Sequence, residues 1–412
     1  MEEIKKEISS LSAYQKLVIF ILAVTQFTVI LDFMIMAPMG DILMKSINLT
    51  PSQFGVVVSA YAFSAGASGL LTAGFADRFD RKKLLLFFYT GFIIGTLFCG
   101  LANSYNMLVV ARIVTGLFGG VIGSISLAIV TDVFTLQQRG RVMGFIQMGF
   151  GASQVLGIPI GLYIGDNWGW QHAFLAIVVL ASCIAILIAF KLKPIIGHLG
   201  LQKRESALKH LWNTISRKNY RMGFLATSLL SVGGFMMMPF STVYAVNNLN
   251  VQHDQLPILF MISGISSLII MPTVGKLSDQ YDKRKIFTIA VIWMMVMVVV
   301  YTNMSPVPFF VVVILNILLL MGILSRMTPS TALISAVPDT KDRGAFMSMN
   351  SSLQQVAGGI AAYVAGMIVV QKTPSSPIEH YSTIGYIVVI LSIISIWMIY
   401  RIYELIRKKN EH

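Results

Sequence analysis

The sequence is short of charge. Only 12% of its 412 residues are Asp, Glu, Lys or Arg, while 56% are hydrophobic; soluble domains carry roughly 25% charged residues. A chain so composed cannot cover a water-facing surface, which excludes an ordinary soluble enzyme and points to a polytopic membrane protein. Cysteine is scarce as well. Cys99 and Cys183 both lie in apolar runs, so there is no disulfide framework and no Cys/His metal spacing. The histidines (His172, His198, His210, His253, His380, His412) fall in loops or near the ends of runs, without ligand spacing. No Ser-His-Asp set, paired-carboxylate set or Gly-rich phosphate loop stands out. An ATP-driven pump would need a nucleotide domain, and the longest polar stretch, 193–221, is too short to form one. The expectation is a protein that is not an enzyme and holds no cofactor or metal. The first apolar run, 17–38, is longer than a signal-peptide core and lacks a small-residue cleavage site after it, so it reads as a retained helix.

What the chain does have is a succession of apolar runs near the ~20 residues a bilayer crossing needs. They fall at about 17–41, 54–75, 84–103, 106–131, 142–165 and 172–192, and again at 222–246, 255–275, 286–303, 308–333, 344–370 and 381–402. This predicts an all-α membrane protein of twelve transmembrane helices in two pseudo-symmetric six-helix bundles. Residues 1–192 form the first, 193–221 a linker and 222–412 the second. Residues 1–15 place Ile4, Ile8 and Leu11 at helical spacing, a short amphipathic lead-in. In the linker Leu208, Leu211, Trp212 and Ile215 follow the i, i+3, i+4, i+7 pattern among lysines and arginines, as a helix lying on an anionic membrane face would. The net charge of +13 is explained by topology. With both termini, the linker and the even-numbered short loops on one side, that side holds 27 of the 31 basic residues. The positive-inside rule then makes it the cytoplasmic side. The charge is therefore no nucleic-acid footprint, and no nucleic-acid partner is expected.

The two halves also match in detail. Residues 73–84 read AGFADRFDRKKL and residues 275–286 read GKLSDQYDKRKI, so that Asp77 aligns with Asp279, Asp80 with Asp282 and Arg81 with Lys283. At nearly the same offset, the RGRVM beginning at Arg139 aligns with the RGAFM beginning at Arg343. A parallel repeat of this kind places substrate between the halves near the bilayer midplane, and the halves rock about it.

The turn at 73–82 resembles the G-x-L-A-D-R-x-G-R-K signature of the major facilitator superfamily, with Ala73 and Asp80 in place of its two glycines. Gly275 restores the first glycine in the second copy, and Asp282 again replaces the second; the repeated Asp implies an extra local ion pair. Arg112 and Gly116 match the R-x-x-x-G pattern of span 4, and GIPIG at 157–161 approximates the exporter motif G-P-x-x-G. Leu31-Asp32 with Ala37-Pro38, and Gly169-Trp170-Gln171, resemble bacterial efflux-type members. The resemblance covers essentially the whole chain. It implies a monomeric multi-pass carrier of a small molecule in the bilayer of the bacterial inner membrane. Its motion would be driven by a proton gradient, as a drug:proton antiporter or sugar-efflux-like exporter. An importer or facilitator of an anionic or polyhydroxylated solute is the alternative.

Asp32 is the only carboxylate well inside a span. An ionised acid there is costly, so proton uptake competes with ionisation, as a coupling residue requires. Arg112 lies at a depth differing by roughly 5 Å, counted at 1.5 Å per residue, and is its natural partner. Arg326 has no acid in its own span; it either snorkels to the inner surface or adds a cation to the cavity. Polar residues in the spans, including Gln154, Asn316 and Asn350 together with Thr28, Tyr61, Gln147 and Gln354, either line the route or glue helices. The family resemblance puts Asp77 at the N-terminus of span 11 near Arg343, with Arg81 bridging Asp77 to Asp132. With Arg139, Asp279 and Lys283 these residues make the expected cytoplasmic gate.

Overall fold

The computed structural model describes residues 11–72, 78–197, 216–339 and 342–410. Asp77, the amphipathic lead-in up to residue 10 and most of the linker, including its basic helix, lie outside the described residues.

Among the described residues the chain forms twelve long helices. The first half gives α1 (Ala13–Ile35), α2 (Pro51–Thr72), α3 (Arg81–Leu101), α4 (Tyr105–Val133), a broken α5 (Leu136–Ala152 and Ile158–Trp168) and α6 (Trp170–Lys191). The second half gives α7 (Lys218–Met237, resumed at Ser241–Asn247), α8 (Leu256–Gln280), α9 (Lys283–Thr302), α10 (Phe309–Ser335), α11 (Arg343–Ile368) and α12 (Tyr381–Asn410). A short helix, Gly40–Ser46, continues α1. Both described termini lie at one end of the bundle, here the terminal end; the opposite end is the far end.

Eleven of the twelve are long and apolar enough to cross a membrane. The exception is α11. Its 26 residues would reach about 39 Å, but Asn350, Gln354, Gln355 and several serines lower its apolarity. It packs along α2, with Asn350 and Ser352 buried and Gln354 and Gln355 half-buried, so these side chains are largely kept from lipid. The outward faces tell the opposite story. Val179 and Phe190 on α6 and Ile289 on α9 are among the most exposed residues, a pattern that lipid, not water, accommodates.

Local sequence explains where helices start. Ser12 and Gln15 form a capping box at α1, Thr135 and Gln138 another at α5, and Ser104 caps α4. The duplicated turn resolves a question left by its missing glycines. Asp80 caps α3, its Oδ1 accepting from Lys82 N at 3.0 Å and from Ile195 N at 2.9 Å. Asp282 caps α9, accepting from Arg284 N at 2.8 Å. Among the described residues the extra ion pair expected of this Asp forms in the second copy, Asp282–Arg284 at 2.6 Å, and not at Asp80. The Arg284 hydrogen bond, which outweighs the effect of partial burial, holds the Asp282 carboxyl below its ordinary range.

Prolines mark three of the helix breaks. Pro38 lies between α1 and its continuation, Pro159 follows a π-helical turn at Ser153–Gly157, and Pro239 sits in a 3-10 turn at Met238–Phe240. Pro272 and Pro329 are carried inside continuous helices. Gly169 turns the chain between α5 and α6 at φ 95°, a conformation a side chain would strain.

The apolar core falls into three clusters. One is drawn from residues between Val18 and Ile195 and another, in its buried members, from residues between Tyr220 and Ile402. The third takes residues from both halves, including Met36, Met39, Phe54, Met236, Phe240 and Val243. Met236 and Met237, with Phe240, are thus buried core.

Candidate functional site

Asp32 and Arg112 meet in the core. Arg112 Nη1 donates to Asp32 Oδ2 at 2.8 Å, and the two side chains are 1% and 0% exposed. The same nitrogen reaches the Asp32 backbone carbonyl at 3.4 Å, and Thr96 Oγ1 donates to Asp32 Oδ1 at 3.1 Å. The guanidinium lies over the Tyr61 ring at 4.5 Å, a cation–π contact made strong by the absence of water. The R-x-x-x-G spacing has a structural reason. Gly116 is one turn from Arg112 on α4, and a Cβ there would overlap the Tyr61 carbonyl and the Ser64 hydroxyl of α2. The glycine lets α2 approach closely enough to slide Tyr61 under the guanidinium. Arg112 Nε has no hydrogen-bond partner, so the pair is tight but not fully satisfied.

Arg326 is handled differently. It is 4% exposed, so it does not snorkel to the surface. Its Nη2 donates to the Leu230 carbonyl of α7 at 3.2 Å, and no carboxylate pairs with it among the described residues. The remaining polar candidates are distributed along helix contacts. Gln154 of α5 accepts from Ser267 of α8 at 2.8 Å, joining the two halves. Asn316 of α10 accepts from Ser263 of α8 at 2.8 Å. Asn350 of α11 is buried, and its Oδ1 has no partner. Thr28 is tied to Tyr89 at 2.8 Å, as a helix-gluing residue would be. Gln147 lines a small cavity of about 120 Å³ with Gln26 and Ser126.

At the terminal end, Arg81 Nε and Asp132 Oδ2 are 3.2 Å apart, linking α3 to the end of α4. Arg139 stays within its own half, donating to the Thr131 carbonyl at 2.7 Å and the Phe134 carbonyl at 3.2 Å. It closes the C-terminus of α4. In the second copy Lys283 donates to the Ser278 carbonyl at 2.9 Å, and Asp279 is exposed. The residue that corresponds to Asp132 there is Ala336, so Lys283 has no equivalent carboxylate to reach. Arg343 opens α11, and its side chain lies outside the described residues. Just before it, Asp342 accepts from Arg217 at 2.7 Å and from the Tyr220 hydroxyl at 2.8 Å.

The far end carries a cluster that the sequence reading missed. Asp41, 1% exposed, accepts from Lys45 at 2.8 Å within its own helix. It also reaches across to the second half, to Asn247 Nδ2 at 2.5 Å and His253 Nε2 at 3.1 Å. Burial pushes the Asp41 carboxyl up, but hydrogen bonds from His253, Lys45 and Asn247 outweigh it and hold the group below its ordinary range. Phe54 meets Phe240 edge-on at 5.9 Å beside the cluster. The two halves are thus clasped at the far end. Asp41 falls at the polar end of an apolar run and His253 in a loop, and neither has a motif to flag it.

Comparison with known proteins supplies the context for this geometry. The model of the Major Facilitator Superfamily matches residues 22–325 and 223–412. The uncharacterized MFS-type transporter YbcL of Bacillus subtilis is 24% identical over 384 residues, covering 91% of this chain and 94% of that protein. Multidrug resistance protein 2 of the same organism is 23% identical over 300 residues, covering 71% of this chain and 74% of that protein. Among solved structures, a bacterial homolog of the human lysosomal transporter Spinster, inward-facing and unoccupied, superposes with a TM-score of 0.79 at 14% identity. It covers 97% of this chain and 99% of that one.

Proposed function

The chain belongs to the major facilitator superfamily, and from that premise we propose that it is a proton-coupled exporter of a small organic molecule working by alternating access. It is a multi-pass membrane transporter. The finer reading makes α11 the twelfth crossing, sets the terminal end in the cytoplasm of a bacterial inner membrane, and divides the monomer into bundles 1–192 and 222–412 joined by the linker.

The observation that carries the proposal is the sealed Asp32–Arg112 pair, 2.8 Å apart. A proton delivered to Asp32 neutralises the carboxylate and removes the attraction that holds the guanidinium. Arg112 then needs another acceptor, which a substrate supplies or a rearrangement of α1 against α4 provides. Loss of the proton restores the pair and expels the competitor. Two clasps would gate the cycle. The Asp41 cluster holds the halves at the far end. At the cytoplasmic end Arg81–Asp132, reaching Asp77, would dock on the start of α11. A name containing multidrug resistance among the relatives favours export as the direction.

The test is proton-driven flux in proteoliposomes with an imposed pH gradient. Asp32→Asn and the double variant Asp32→Asn/Arg112→Met should both lose it while eluting as folded monomers. Undiminished pH-dependent flux in either would remove the coupling role.

A further inference from the structure

Six charged side chains are buried among the described residues: Asp32, Asp41, Arg81, Arg112, Arg326 and Asp342. Five sit against an opposite charge. Arg326 alone does not. A guanidinium cannot shed its proton to escape this, whereas a lysine can lose one and a carboxylate can gain one. An uncompensated ion in a low-dielectric interior is retained against a large desolvation penalty, which a counter-charge present during part of a cycle would offset.

Most of the donor capacity of Arg326 is unused. Of the guanidinium donors only Nη2 is used, toward the Leu230 carbonyl at 3.2 Å. Nε and Nη1 have no acceptor among the described residues, yet they are not sealed in as Arg112 Nε is. Nη1 and Nη2 lie against Gly233 of α7. A Cβ at Gly233 would stand 3.6 and 3.7 Å from the two terminal nitrogens, and a Cβ at Gly234 would meet nothing within 4 Å. Gly233 thus puts no side chain between α7 and the guanidinium.

Two other unsatisfied groups lie close in register. Thr227 Oγ1 and Asn350 Oδ1 are buried without partners. Phe224 stacks on Phe346 at 4.6 Å, and Phe235 packs over Gly358, so α7 and α11 run side by side between those rungs. Thr227, one turn before Leu230, and Asn350 both fall within that interval. Of these, the Thr227 hydroxyl can donate to an anion whereas the Asn350 Oδ1 can only accept; the fixed Arg326 cation, with Nε and Nη1 unused, is the complement of a small organic anion.

We propose that Arg326 is the anion subsite of the transported molecule, so that the substrate class is organic anions and not the lipophilic cations common to multidrug efflux. This rests on the transporter reading above. The Asp32–Arg112 pair would exchange the proton in one half while Arg326 holds the anionic group in the other.

The experiment is thermal unfolding of the purified full chain with matched ligand sets. Mono-, di- and hydroxycarboxylates (octanoate, benzoate, succinate, salicylate) are each compared with the corresponding amide and amine. At least one carboxylate should raise the midpoint of wild type with its amide and amine inactive. Arg326→Gln should weaken that ligand at least tenfold, and Arg326→Lys should retain part of it. Without ligand, Arg326→Met should unfold no earlier than wild type, because it removes an uncompensated ion. The proposal is overturned if no carboxylate outperforms its amide, if amines stabilise equally in wild type and Arg326→Gln, or if Arg326→Met unfolds earlier. Flux separates the two readings. Transport of a neutral or cationic compound that Asp32→Asn abolishes and Arg326→Gln spares would keep the transporter and remove the anion site. Absence of any Asp32-dependent flux would remove the coupling reading itself.

Discussion

The Asp32–Arg112 pair predicts an asymmetric response to mutation. At 2.8 Å and an effective dielectric of about 20, the attraction is on the order of 6 kcal/mol. Desolvating the two ions costs several kcal/mol each, so the intact pair contributes little net stability. Removing one partner is another matter. Asp32→Asn preserves an acceptor for Thr96 but strands Arg112 beside Tyr61 with its charge intact, at a cost of about 3–5 kcal/mol. Arg112→Met strands a carboxylate that can take up a proton, so its cost is smaller and shrinks as the pH falls. Asp32→Asn/Arg112→Met removes both charges and returns to within about 1 kcal/mol of wild type, as apolar replacement of buried pairs commonly does. Unfolding by denaturing detergent, followed by tryptophan fluorescence at pH 7.5, measures all four corners of the cycle. Additive losses in the two single variants, or an Asp32→Asn protein as stable as wild type, would refute a closed buried pair.

Three further outcomes follow from named contacts. Gly116→Val drives a side chain into Tyr61 and Ser64 and should destabilise by about 1–3 kcal/mol with loss of transport, whereas Gly144→Ala, which faces nothing within 4 Å, should be neutral or stabilising; thermal scans compare them. Asp282→Ala removes the cap of α9 and should cost about 1 kcal/mol at pH 7. The folded-state pKa of Asp282 lies below its ordinary 3.8, so this contribution is present above 3.8 and vanishes as pH falls through the lower folded value. Wild type and variant should therefore converge in thermal scans carried below that point. Asp41→Ala opens the far-end clasp to Asn247 and His253, and cysteines placed at Val243 and Met39, both buried there, should react faster with a membrane-impermeant maleimide; unchanged labelling would mean the clasp does not hold that end shut.

Most of the fold was legible because the bilayer imposes one rule on every span, about twenty apolar residues, and the chain repeats it. The Asp32–Arg112 contact was legible for a related reason: charges are so rare in spans that one acid and one arginine at similar depth leave few alternatives. Arg326 was half legible, since its lack of an acid shows in sequence but its burial does not. Asp80 and Asp282 were read as ion-pairing because they sit among basic residues. Capping depends on backbone direction, which the composition of a turn does not carry. The Asp41 clasp was hidden because Asn247 lies 206 residues away and His253 farther still, and only packing of the two halves brings them together.

The duplication supplies the scaffold, and the places where it fails supply the chemistry. Both turns cap a helix with Asp, yet only the first copy adds the Arg81–Asp132 bridge, because Ala336 occupies the equivalent of Asp132. Arg112 corresponds to Asn316, which spends its oxygen on Ser263 in a neutral hydrogen bond. Arg326 corresponds to Ile122, which is buried apolar core. Each half therefore holds one buried arginine in its long fourth helix, at non-equivalent depths, one paired with an acid and the other with no carboxylate among the described residues. A symmetric pair of neutralised arginines would bind protons in both halves and leave no fixed charge for a solute. Two unpaired ones would bind a solute without a proton to exchange. The proposed coupling of an anion's movement to a proton's would need one of each, and the described residues hold one of each.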